Sequence, residues 1–508
     1  MQGTISERPT IVTVEARAGL ISGLRDGATA SFKGIRYAKP PIGRLRWRAP
    51  QPPDEWKGTF EAFCFGNISM QTVVANNGVG QGPPSEDCLT LNVFCPSDPN
   101  SSSLPVMVWI HGGSFTYGSG TAPLYNGIKF VESGVVLVTL NYRLGRFGFF
   151  SHPALTEEAG GAPLANYGLL DQIAALEWVR DNIEAFGGDP HCVTIFGESA
   201  GAESVNLLMV CSRARGLFHR AIAQSAMGRS EPEDLDEAQL TGSEFIRRIG
   251  LASPGVNQLR SIPADTIVKG DADRAGQLLV KGKLPILDGT LLTETVLSAF
   301  RAGREAGVPY IIGATDCELP ASNLPSYLEG KRPSYATPAI KDIYGDMDNF
   351  EQNFLSDTIF TEPAISLAKL HSARSPTFCY QFAILSESAR SNFPGAPHAT
   401  DVPYVFGTHE FAEWPASALD AKLGDQMRAY WAAFARAGDP NLSSLPSWPD
   451  ANSGNVLVFS NDGPSSGPHP DQSRAALLTS ALDSGSIQNP LGKPRAPSSG
   501  NATKEDLP

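Results

Sequence analysis

Val193-Thr194-Ile195-Phe196-Gly197-Glu198-Ser199-Ala200-Gly201, followed by Ala202-Glu203-Ser204-Val205-Asn206-Leu207-Leu208-Met209, decides the reading of this chain. A short apolar, β-branched run predicts a buried strand, and the residues after Ser199 read as a helix. Between them stands G-x-S-x-G, the pattern of a serine held exposed on a sharp strand-to-helix turn. The glycines let strand and helix approach closely where a Cβ would collide. The pattern alone is a weak signal, and the sequence carries its own control. Gly463-Pro464-Ser465-Ser466-Gly467 matches as well, but lies in a polar Pro/Gly/Ser stretch with no strand-helix context. Ser199 is therefore the candidate nucleophile.

Two further apolar runs lie upstream, Val106–Ile110 and Val135–Leu140. Between the second of them and Val193, residues Leu169, Ile173, Leu176, Val179, Ile183 and Phe186 recur at spacings of three and four, one face of a 3.6-residue period. Gly187-Gly188-Asp189-Pro190 ends that helix. Strand, helix, strand in this order predicts an α/β fold with a parallel sheet covered by helices. His111-Gly112-Gly113-Ser114-Phe115 directly follows the first strand. A Gly-rich turn at that place is the expected source of backbone N–H donors for an oxyanion.

Composition bounds the rest. The chain has 508 residues, 41% hydrophobic and 18% charged, with a net charge of −13 from 53 acidic and 40 basic residues. Without Lys/Arg-rich runs, nucleic acid and anionic membrane surfaces are not expected partners. The longest apolar run is too short to span a bilayer. Seven scattered cysteines without a CxxC pair give no zinc or redox signature and favour a reducing compartment. The N-terminal residues lack the basic-then-apolar order of a signal peptide. A cytoplasmic location is expected, a trimmed secreted form being the alternative. The sequons at Asn67, Asn100, Asn441 and Asn501 would suit the latter, but short patterns carry little weight. No repeat appears. Polar breaks at 76–86, 96–104 and 227–237 are too short to separate domains, so residues 1–483 are expected to form a single catalytic domain. Residues 484–508, rich in Ser, Pro and Gly, are expected to form a disordered tail. Nothing signals an oligomeric state.

The chain resembles the type-B carboxylesterase/lipase family, the cholinesterase-like branch of the α/β-hydrolases. The resemblance rests on Phe32–Ala38 with Pro40–Gly43, Ser85–Val93, Asn141–Gly145, Asn166–Gln172, Phe186–Pro190, and Trp431–Arg436 with Gly438–Asn441. It runs from about residue 10 to 460. It implies an α/β-hydrolase fold, with a large, twisted, mostly parallel central sheet flanked by helices and a gorge leading to the serine. It also implies a triad in the order Ser, acid, His, with a small-molecule ester as partner and no cofactor or metal. His398, in Gly395-Ala396-Pro397-His398-Ala399-Thr400-Asp401, resembles the family's catalytic-His loop; His409 is the rival. Glu318, after the strand-like Ile311-Ile312-Gly313, follows the pattern for the acid. The family usually carries Asp-Glu-Gly where this chain has Cys317-Glu318-Leu319, and Asp316 is the alternative acid. The resemblance assigns oxyanion donors to the N–H groups of Gly113, Ser114 and Ala200. Ser114 replaces a family glycine; a Cβ there is tolerable if φ stays negative, and it would narrow the acyl side. Glu198 and Ser225 resemble residues that surround the triad, with a plain structural role as the alternative. The family's partner for Cys88 would fall near Ser69, so Cys88 is expected to be free, with Cys64 the alternative partner.

The expected activity is hydrolysis of small, largely apolar carboxylic esters. The alternatives are an acyl-transfer enzyme on the same scaffold (lactonase, deacetylase or thioesterase) and, more remotely, a binding protein without catalysis. The polar segment 64–88 is not an amphipathic lid, so interfacial activation is not expected.

Overall fold

A computed structural model describes residues 10–72, 80–99, 103–162, 164–270, 282–319 and 337–492. The sequons at Asn100 and Asn501, and parts of the breaks at 76–86 and 96–104, lie outside the described residues.

The strands are β1 Thr10–Ala16, β2 Gly19–Asp26, β3 Thr29–Arg36, β4 Thr59–Glu61, β5 Ile68–Ser69, β6 Pro84–Ser85, β7 Thr90–Pro96, β8 Leu104–Ile110, β9 Val136–Leu140, β10 Gly188–Glu198, β11 Arg220–Gln224, β12 Tyr310–Thr315, β13 Thr377–Ala383, β14 Asn455–Ser460 and β15 Gly463–Pro468. All but β5 and β6 join one 13-stranded sheet, in the order β1-β2-β3-β7-β9-β8-β10-β11-β12-β13-β14-β15, with β4 on β2. From β9 to β14 every pairing is parallel. Along this path both edges are antiparallel, whereas β4 lies parallel to β2. This is the large, mostly parallel sheet of an α/β-hydrolase.

The central strands are mostly apolar on both faces because both sheet faces are covered. The period of two then sorts their side chains into two cores. Val106, Val108, Ile110, Val136, Val138, Val193, Ile195 and Ile312 join one cluster. Met107, Trp109, Leu137, Phe196, Ile222 and Ile311 join the other. The helix Tyr167–Asn182, ending in the 3₁₀ turn Ile183–Phe186, packs where the periodicity predicted a helix. It is buried on nearly all sides rather than along one stripe. Its polar residues are buried for a reason: Asp171 pairs with Arg143, and Gln172 donates to Ser204 at 3.0 Å. On the opposite face lies the helix Ala418–Ala437, started by a capping box between Ser417 and Asp420.

The control match Gly463–Gly467 lies in the antiparallel edge strand β15, pairing Ser465 with Val458, and forms no strand-to-helix turn. One expectation needs correction: the packed chain extends past residue 483. The helix Gln472–Ser484 is followed by Ile487, which is 3% exposed in a third apolar cluster. Asn489 then donates to the Arg229 carbonyl at 2.8 Å. Ile487 and the partly buried Leu491, with a few hydrogen bonds, secure a segment whose composition reads as loose. The remainder of the expected tail, 493–508, lies outside the described residues. No described helix is long and apolar enough to cross a membrane. All seven cysteines are free. Ser69 stands beside Cys88 and donates to the Tyr142 carbonyl at 2.5 Å.

Candidate active site

Strand β10 ends at Glu198, the helix Ala200–Val210 begins at Ala200, and Ser199 joins them with φ 56° and ψ −123°. That is strained geometry for a residue with a Cβ, costing on the order of 1–3 kcal/mol. The surroundings hold it. The Ser199 N–H donates to the Gln224 carbonyl on neighbouring β11, and its own carbonyl accepts the Glu203 N–H, each at 2.9 Å. Close packing explains both glycines. A Cβ on Gly201 would lie 2.0 Å from the Ile110 carbonyl oxygen, and one on Gly197 would lie 2.5 Å from the Gly201 carbonyl carbon.

The end of β8 delivers the Gly-rich turn to the same place. A Cβ on Gly112 would fall 2.8 Å from Glu198 Oε2 and 3.2 Å from Ser199 Cβ, so turn, carboxylate and serine converge there. The Gly113 carbonyl accepts the N–H groups of Thr116 and Tyr117 at 2.9 and 3.0 Å. Among the described residues, the N–H groups of Gly113, Ser114 and Ala200 donate to no protein acceptor. Ser114 holds φ 53°, outside the negative range in which its Cβ would sit without strain. The tight turn closed on the Gly113 carbonyl imposes this. His111 stacks on Tyr142 at 4.5 Å, and its Nδ1 bonds the Gly112 carbonyl at 2.8 Å. Burial pushes this imidazole down to about 4, so it is neutral.

Two loops bring in the remaining residues. Glu318 follows β12 and is 1% exposed. Its Oε1 accepts from Ser225 Oγ at 2.5 Å and from the Thr315 N–H at 2.8 Å. Its Oε2 pairs closely with His398 Nδ1, on the loop after β13. The His398 N–H also donates to the Glu318 carbonyl at 3.2 Å. The alternative acid, Asp316, instead accepts the Ala396 N–H at 2.7 Å and so ties the two loops together. His409 packs edge-on against Tyr404 at 4.8 Å, away from this pair.

On the other side of the imidazole, Nε2 lies 3.1 Å from Glu198 Oε1, at ion-pair distance but without hydrogen-bond alignment. No hydrogen bond joins Ser199 Oγ to His398 among the described residues. The Phe360 ring stands 4.9 Å from the imidazole, on the π-helical turn Asp357–Thr361. Asp401 is fully buried, accepting from Gln224 at 2.7 Å and Tyr380 at 3.2 Å.

Carboxylates dominate the electrostatics. Burial opposes a charge on His398, but Glu198 and Glu318 outweigh it and lift the imidazole to about 9. Burial, reinforced by Asp401 and Glu318 against the pull of His398, pushes Glu198 up to about 8. Burial likewise raises Asp401 to about 6. The titrations of His398 and Glu198 are thus linked, each group's protonation depending on the other's.

Sequence reasoning missed Asp401 and Phe360 as neighbours of the histidine. Asp401 lies in the quoted loop, but its burial comes from β11 and β13. Phe360 comes from a helix distant in sequence. No local signal marks either.

The Carboxylesterase family model matches residues 9–336 and 328–474. Para-nitrobenzyl esterase of Bacillus subtilis (strain 168) is 36% identical over 465 residues, covering 86% of this chain and 92% of that protein. Fumonisin B1 esterase of Sphingopyxis macrogoltabida is 33% identical over 481 residues, covering 87% and 85%. A solved PNB esterase superposes with a TM-score of 0.80 at 32% identity, covering 92% of this chain and 100% of that one. With the serine elbow, the Gly-rich turn and a carboxylate-paired histidine on one hydrolase sheet, the chain belongs to the carboxylesterase family, enzymes that hydrolyse carboxylic esters.

Proposed function

We propose that Ser199, His398 and Glu318 act as a catalytic triad that hydrolyses small, largely apolar carboxylic esters through an acyl-enzyme. The observation carrying this reading is the pairing of His398 Nδ1 with buried Glu318, while Nε2 reaches the carboxylate next to Ser199. His398 Nε2 takes the Ser199 proton as Oγ attacks the ester carbonyl. The oxyanion is received by the N–H groups of Gly113, Ser114 and Ala200, and collapse expels the alcohol with the proton returned from His398. Water, activated by the same base, releases the acid and restores Ser199. Glu318 holds the imidazole and stabilises its cation, with Ser225 and the Thr315 N–H fixing the carboxylate. Glu198 stabilises the same cation from the Nε2 side. Seven unpaired cysteines support a reducing, cytoplasmic setting.

Hydrolysis of a p-nitrophenyl ester chain-length series by the wild type and Ser199→Ala tests the reading. Turnover should fall by about 10⁶-fold in the variant. Turnover surviving in Ser199→Ala would contradict it. Fluorophosphonate labelling of Ser199 without ester turnover would move the assignment to acyl transfer.

A further inference from the structure

Ser114 and Phe115 both stand in the left-handed region, at φ 53° and 58°. Only glycine enters it without strain. For Phe115 the compensation is visible: the ring is 1% exposed, packs edge-on against Phe149 at 5.2 Å, and its carbonyl accepts the Gly145 N–H at 2.6 Å. Ser114 has no such compensation. It is 5% exposed, and among the described residues neither its N–H nor its hydroxyl makes a hydrogen bond. Its Oγ is not walled off by protein, so it is reachable from the substrate side. Glycine would remove the strain.

We infer that the Ser114 hydroxyl is a catalytic group, donating a fourth hydrogen bond to the oxyanion alongside the backbone donors. This inference rests on the triad reading above. A staggered χ1 can set Oγ on the same side as the residue's own amide nitrogen, so one acceptor can take both donors. The charge balance of the site favours such a donor. The charged groups acting on His398 are the carboxylates of Glu198, Glu318 and Asp401. An oxyanion forming beside them gains from a neutral donor that carries no proton away. Ser114 forms no covalent bond, and its O–H reorients when the carbonyl oxygen becomes tetrahedral.

The test compares wild type, Ser114→Ala and Ser114→Gly on p-nitrophenyl butyrate, with a trifluoromethyl ketone as an oxyanion-forming inhibitor. Ser114→Gly relieves the strain, which secures a folded variant. Both variants should lose on the order of 10²-fold in kcat with KM nearly unchanged. The inhibitor Ki should rise by the same factor as kcat/KM falls. An active wild type with Ser114→Ala within about twofold in kcat and Ki overturns the hydroxyl's role and leaves the triad standing. So would a loss confined to KM. A wild type that neither turns over esters nor labels at Ser199 overturns the triad reading and this inference with it.

Discussion

Two buried ionic clusters in this fold behave oppositely. Arg143 and Asp171, 3% and 0% exposed at their side chains, match one cation to one anion. The Arg143 N–H, Nε and Nη2 reach the carboxylate at 3.0, 2.7 and 2.7 Å, while Nη1 bonds the Arg48 carbonyl at 2.9 Å. The guanidinium also lies 5.3 Å from the Tyr167 ring. Every strong demand is met, and the pair locks the loop after β9 onto the helix Tyr167–Asn182. Around His398 one imidazole faces Glu198, Glu318 and Asp401. Here negative charge is in excess and protons are shared. Balanced burial gives rigidity. Unbalanced burial gives groups that change charge near neutral pH, which is what acid–base chemistry needs.

The largest effect should come from breaking the balanced pair. Arg143→Met leaves Asp171 buried without a cation and should cost about 3–5 kcal/mol in chemical denaturation. Adding Asp171→Leu should recover most of that loss, because the orphan charge is gone. A single variant as stable as the wild type would erase the distinction between the clusters.

The unbalanced cluster should respond in pH rather than in stability. His398 must be neutral to accept a proton, and Glu198 helps raise it to about 9. Glu198→Gln removes that contribution, so the imidazole falls back toward 6.5 and stays neutral at lower pH. The acid limb of kcat/KM should therefore move downward, by about one to three pH units. A limb that stays in place or moves upward would show that Glu198 does not act on His398.

The elbow and sheet were readable in the residues because their demands are local. A buried strand needs apolar residues on both faces, and the turn at Ser199 needs small neighbours at Gly197 and Gly201. The Gly-rich turn was readable in position but not in conformation. Ser114 adopts a sign of φ that non-glycine residues rarely take, and the backbone closure responsible lies in Thr116 and Tyr117. The acid was narrowed to Glu318 or Asp316 by resemblance, two residues apart on one strand end. Their different partners, His398 and the Ala396 N–H, depend on a loop some 80 residues downstream. The burial of Asp401 and the place of Phe360 arise from packing between distant elements. Ile487 anchors the chain end against a composition that reads as loose.

The proposed triad is tested most directly by kcat on p-nitrophenyl acetate for Glu318→Gln beside Asp316→Asn. The first removes the charge paired with His398 Nδ1 and should lower kcat by about 10⁴-fold. The second keeps an acceptor for the Ala396 N–H and should stay within about fivefold of wild type, since no step uses its charge. A collapse in Asp316→Asn with Glu318→Gln still active would contradict the assignment of the acid and, with it, the reading of how His398 is held.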